Sequence, residues 1–132
     1  MSIERINPQG LSTPTGYTHV IRSRGGTTVY IAGQVAADAE GRVVGAGDFA
    51  AQAKQVFVNL RAALAAVGAG FEHVTKTTTY IVNYSPEHRP ALRAARAEAM
   101  GDLAPASTLI GVQALATPDY MIEIEAIAVL DD

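Results

Sequence analysis

The chain of 132 residues contains no cysteine and no tryptophan. The absence of cysteine removes disulfide frameworks, thiolate zinc sites and a cysteine nucleophile together. Charge is also scarce, with 17% charged residues against 48% hydrophobic ones, which excludes a disordered chain because such chains have the opposite balance. The net charge of −3 lacks the basic excess that non-specific nucleic-acid binding requires, so no nucleic-acid partner is expected. Long hydrophobic runs are missing too. Gly, Asp, Glu or Thr interrupts every apolar stretch well before a membrane-crossing length, and Met1–Pro8 has no apolar segment behind basic residues. A soluble, cytoplasmic protein without a membrane partner is therefore expected. There is no tandem repeat and no linker, and the length is that of one domain, residues 1–132.

What is present reads as alternating elements. Asn7, Pro8, Gly10, Pro14 and Gly16 mark a loop. Tyr17–Ser23 and Thr27–Ala32 read as two strands of a hairpin around Gly25-Gly26. A short strand is expected around Val43-Val44, after the turn residues Asp38–Gly41. The spacing of Phe49, Ala53, Val56, Phe57, Leu60, Leu64 and Val67 predicts a helix over 49–67, with Asp48 as its N-cap and Gly68 as its stop. Residues 74–82 are β-branched and strand-like. A second helix is predicted over 86–100, regular only from Pro90, and two strands follow at Thr108–Ala114 and Met121–Leu130. This order implies an α+β fold, with a mixed sheet of about six strands and both helices on one face.

Alternation in the last strand assigns Ile122, Ile124, Ala126 and Ala128 to the helix side. It leaves Met121, Glu123, Glu125, Ile127 and Val129 on the other face. A half-apolar sheet face on a small domain usually meets a partner surface, so a homo-oligomer is expected. Carboxylates among apolar neighbours either pair with a cation or hold their proton more tightly, and the second condition suits acid–base work. An ion pair across strands or subunits is the structural alternative for both glutamates.

Other motifs have plainer readings. Gly45-Ala46-Gly47-Asp48-Phe49-Ala50 matches a dinucleotide fingerprint, but Asp48 would oppose a phosphate, and a glycine-rich turn before an N-cap accounts for it. His19, His73 and His88 have no metal-ligand spacing, and no metal is expected. Arg89, Arg93 and Arg96, at i, i+4 and i+7, either form a solvated helix face or clamp a carboxylate or phosphate, and the solvated face is the preferred reading.

The ordered set of Gly16-Tyr17, Tyr30–Gln34, Gln52–Gln55, Asn59-Leu60, Val74–Thr78, Pro105–Thr108 and Ile122–Ala128 resembles the Rid (YjgF/RidA) family. The family is also called the liver perchloric-acid-soluble protein family. The resemblance implies a chorismate-mutase-like subunit, a homotrimer and ligand clefts between subunits. It also implies hydrolysis of reactive imines or enamines to ketone and ammonia, without metal or organic cofactor. By the same resemblance Glu123 is the catalytic, water-positioning residue and Tyr17 lines the cleft; the backbone at Gly33 can approach a ligand closely because glycine has no side chain. Ser107 stands where the deaminating branch has a carboxylate-binding arginine, and Leu109 where it often has cysteine. A serine hydroxyl does not replace a guanidinium fork. The cleft is therefore expected to be less polar at both positions and to favour a neutral or larger substrate over 2-aminoacrylate-like imines. A non-catalytic protein holding a small metabolite in the same cleft is the second reading. RNA cleavage or translation inhibition, also attached to this family, is disfavoured by the acidic balance.

Overall fold

The alternation in the final strand organises the structure, a computed structural model describing residues 1–132. Strand β6 (Ile122–Leu130) buries Ile122, Ile124, Ala126 and Ala128, whereas Glu123, Glu125 and Ile127 are half-buried. It pairs antiparallel with β3 (Thr27–Gln34) on one side and β4 (Val74–Val82) on the other. Strand β5 (Ala106–Val112) joins β4 in parallel, giving the order β3-β6-β4-β5. Helices α1 (Phe49–Ala65) and α2 (Arg89–Met100) share one core with the sheet. In it, Val56, Phe57, Leu60 and Leu64 of α1 and Ala95 and Met100 of α2 meet Ile31, Ile81, Ile122 and Ile124.

Helix α1 starts where the sequence predicts, with Asp48 accepting the Ala51 amide at 3.1 Å. It ends at Ala65 rather than Val67. Leu64 is the last buried residue of its stripe, and Gly68, at φ 73°, turns the chain back so that the Ala69 amide bonds the Leu64 carbonyl. Before α2, Pro86–His88 form one 3₁₀ turn, and the regular helix begins at Arg89. Pro90 falls within the first turn, where its missing N–H leaves no bond unmade. Two polar side chains, the buried Gln52 and the half-buried Asn59, tie loops to α1. Gln52 donates to the Gly45 and Asp119 carbonyls and accepts from the Met121 amide, while Asn59 donates to the Val35 and Ala37 carbonyls.

Four strand expectations are corrected. The six strands form a four-stranded mixed sheet and a separate two-stranded one, in which β1 (Ser2–Ile6), absent from the sequence reading, pairs with β2 (Val20–Arg24). Gly25 and Gly26 do make the turn, at φ 68° and 78°, but β2 and β3 part there instead of forming a hairpin. Strand β2 is largely exposed and its Arg22 pairs with Glu4 of β1, whereas β3 buries Ile31 beside Ala126. Val43-Val44 makes only an isolated bridge to Ala37, because the Asp38 carboxylate captures the Glu40 and Arg42 amides in a side-chain turn. Strand β5 starts two residues earlier than predicted, since parallel pairing with β4 begins directly after Pro105, at Lys76 opposite Ala106. No helix is long and apolar enough to cross a membrane.

Candidate functional site

Between α2 and the helix side of the sheet lies a cavity of about 580 Å³. Strands β4 and β5 build its floor. Thr77 lies beside Ser107 and Thr79 beside Leu109, with the Thr77 hydroxyl 3.2 Å from that of Ser107. Tyr17 enters from the loop before β2 and not from a strand, as the sequence had placed it. The reason is local: the buried Thr18 gives its hydroxyl to the Ala104 carbonyl and its amide to the Pro105 carbonyl, which docks this loop on the approach to β5.

Helix α2 supplies the opposite wall with Arg89, Arg93 and Arg96. The preferred sequence reading of these as a solvated face is half right: Arg89 and Arg93 are exposed, Arg96 is half-buried, and all three line the cavity. Arg96 donates to the Gly16 carbonyl, and Arg89 donates to the Tyr84 hydroxyl at 2.6 Å. Gly16 has φ 78°, and any Cβ there would overlap the Arg96 guanidinium. Burial, followed by the neighbouring charge of Arg93, lowers the pKa of Arg96 below the usual arginine value. Phe57, Leu92, Met100, Leu109 and Ile124 form the apolar surface, and no acidic side chain lines the cavity. Ser107 and Leu109 contribute no charge of their own, and the charge in this cavity comes from the three arginines of α2.

Glu123 and Gly33 lie on the other face of the sheet. Between Ile31 and Gln34, β3 carries one more residue than the facing segment of β6. This bulge brings Gly33 so close to Glu123 that a Cβ would overlap its carboxylate. Glu123 lies opposite Tyr80 of β4, yet the Tyr80 hydroxyl donates diagonally to Glu125 Oε1 at 2.5 Å. That bond, with burial and the charges of Glu125 and Glu123, raises the phenol pKa of Tyr80 above its usual value. Glu123 itself has neither a hydrogen-bond partner nor a cationic one, so two glutamates that alternation could not separate differ in their engagement. The five residues singled out from the sequence thus form two groups, Tyr17, Ser107 and Leu109 at the cavity and Glu123 and Gly33 behind it. Tyr80, Thr77 and Thr79 were missed. Their signal was the period-two phase of residues 74–82, which acquires meaning only with the register. No cluster of three or more His, Asp or Glu side chains converges into a metal-binding group.

The fold and cavity define a class, a small α+β domain with a ligand-sized hollow between a helix and a mixed sheet. The sequence model of the family described as "Endoribonuclease L-PSP" matches residues 8–130, and the chain belongs to this family, the Rid (YjgF/RidA) family. A Rid family protein of unknown function from Yersinia pestis, YyfB, superposes with a TM-score of 0.91 at 41% identity, covering 98% of this chain and 100% of that one. A RutC family protein of Synechocystis is 32% identical over 98% of each chain. A protein named 2-iminobutanoate/2-iminopropanoate deaminase from Dermatophagoides farinae is 30% identical over 80% of each.

Proposed function

We propose that the protein hydrolyses a small reactive imine or enamine, with water positioned by Glu123 in a cleft between subunits of a homotrimer. The observation that carries this reading is the unengaged Glu123 carboxylate set over the bare backbone of Gly33. An imine carbon is already electrophilic, so water needs only to be held and deprotonated. Glu123 takes a proton from water as the new C–O bond forms and the C=N π electrons move to nitrogen. Returning that proton to nitrogen gives an amino alcohol; Glu123 then carries the remaining hydroxyl proton to the same nitrogen, and the C–N bond breaks to release ammonia as C=O forms. The deaminase name carried by the Dermatophagoides relative supports the reaction class.

An intersubunit cleft also reconciles the two groups of site residues, because a second copy could bring its acidic sheet face to the first copy's cavity. The exposed area of 7409 Å² exceeds the roughly 6,600 Å² expected for a compact monomer of 13.8 kDa, leaving surface for such a contact. Sedimentation at micromolar concentration is expected to give a mass near three chains, and a persistent monomer would refute the shared cleft. For the chemistry, the imine that an amino-acid oxidase generates from phenylalanine is the first substrate, read by keto-acid release, with 2-iminobutanoate as the shorter comparison. Turnover abolished in Glu123→Gln and retained in Glu125→Gln is expected; full turnover in Glu123→Gln overturns the assignment. The second reading, a non-catalytic metabolite-binding protein, is favoured by Ser107 in the arginine position. It replaces the first if no imine or enamine turns over while metabolites stabilise the fold.

A further inference from the structure

We infer that the cavity binds organic carboxylates with a sizeable apolar body, and that Arg93 and Arg96 of α2, rather than position 107, hold the carboxylate. The inference takes the cavity of the proposed hydrolase as the ligand site and names its substrate class.

Three guanidiniums converge on one hollow, and none has a carboxylate partner. The arginines that do form ion pairs, Arg22, Arg24 and Arg42, lie elsewhere. Like charges crowded against a partly desolvated wall are unfavourable until an anion joins them. The burial and the Arg93 charge that disfavour the charged form of Arg96 are the physical trace of that crowding. The fork is also oriented. The Gly16 carbonyl pins Arg96, the Tyr84 hydroxyl holds Arg89 toward one end, and Arg93 between them makes no hydrogen bond to the chain, leaving its donors for a ligand. Across the cavity, Thr77 and Ser107 present hydroxyls, and Phe57, Leu92, Met100, Leu109 and Ile124 present apolar surface.

This division selects a molecule with one charged end and one apolar end. A volume of about 580 Å³ is in the range of pockets that enclose drug-sized ligands, larger than a three- or four-carbon acid requires. An anion held from α2 also leaves distance to the strands, which a larger body spans. The serine at position 107 is then an enlargement of the site, and the charge it lacks comes from the helix.

Isothermal titration with phenylpyruvate, its uncharged counterpart phenylacetone, and 2-oxobutanoate tests this on the full-length protein. Phenylpyruvate is expected to bind at least about tenfold more tightly than either of the others. Arg93→Gln should weaken phenylpyruvate about 10- to 100-fold and leave phenylacetone unchanged, which also reports an intact cavity. Arg93 is exposed and without a hydrogen bond, so this variant is expected to fold even if Arg96→Gln, which loses the Gly16 contact, does not. No phenylpyruvate binding, equal affinity for acid and ketone, or an unchanged phenylpyruvate affinity in Arg93→Gln overturns the inference. If the arginines instead pair with carboxylates of a second copy, Arg93→Gln lowers the sedimenting mass with phenylpyruvate affinity unaltered, and the inference is again overturned. The hydrolase reading fails separately: a protein that binds phenylpyruvate through Arg93 but turns over no imine keeps the clamp and loses the catalysis.

Discussion

The two faces of the four-stranded sheet are cut from the same strands yet end with opposite character. On the helix side, Ile122, Ile124, Ala126 and Ala128 close a core, and the space left over is lined by arginines and hydroxyls without an acid. On the other side, Glu123, Glu125, Tyr80, Ile127 and the exposed Tyr30 form an acidic, half-apolar surface that no helix covers. One face has spent its apolar residues on stability, and its cations stand where a ligand fits. The other keeps its carboxylates accessible. Residues 123 and 124 are neighbours in sequence and belong to different surfaces, so substitutions one position apart should separate chemistry from folding.

The sharpest break is Glu123→Gln, expected to lower turnover about 10²- to 10⁴-fold in the coupled oxidase assay, with melting temperature and sedimenting mass retained. Its neighbour should invert that pattern. Ile122→Ala, at a fully buried position, should cost about 2–5 kcal/mol in denaturant unfolding, the usual range for emptying a core site. Ser107→Arg tests whether the two faces can be coupled through a shorter substrate. A fork on β5 should raise turnover of 2-aminoacrylate relative to bulkier imines by roughly 10- to 150-fold, equivalent to about 1.5–3 kcal/mol for a charge-assisted bond. Unchanged selectivity would mean that position 107 does not meet the substrate carboxylate.

Gly33→Ala should reduce turnover about tenfold, because the new Cβ displaces the Glu123 carboxylate from its place while the backbone is unstrained. A large loss of stability instead would make Gly33 a structural residue. The smallest effect is expected at Tyr80. Its pKa is raised in the fold, so the stabilisation from its bond to Glu125 is complete below the usual tyrosine value of 10.0 and is lost as pH rises through the raised value. Tyr80→Phe should remove the late-titrating phenol from the alkaline absorbance curve, and with it that part of the alkaline loss.

Much of this comparison was legible beforehand. The helix over 49–65, the strand at 74–82 and the two-faced final strand follow from short-range periodicity, and Asp48 and Gly68 bound α1 through local backbone chemistry. The arginine triplet was also visible as a spacing. Less legible were Ser2–Ile6, whose residues do not alternate cleanly, and the partner of β2, which Glu4 and Arg22 settle across a loop.

By itself, then, the sequence determined the α+β class, the helix that covers the sheet and the division of β6 into a buried and an open side, since each depends on residues within a few positions of one another. The tertiary structure alone decided that β2 leaves β3, that three arginines face Ser107, and that Glu125 is engaged while Glu123 stays free. The physical reason is separation along the chain. Arg96 is fixed by a carbonyl 80 residues away and Glu125 by a hydroxyl 45 residues away, and such contacts exist only once the packing of the whole core has set the register and the helix position.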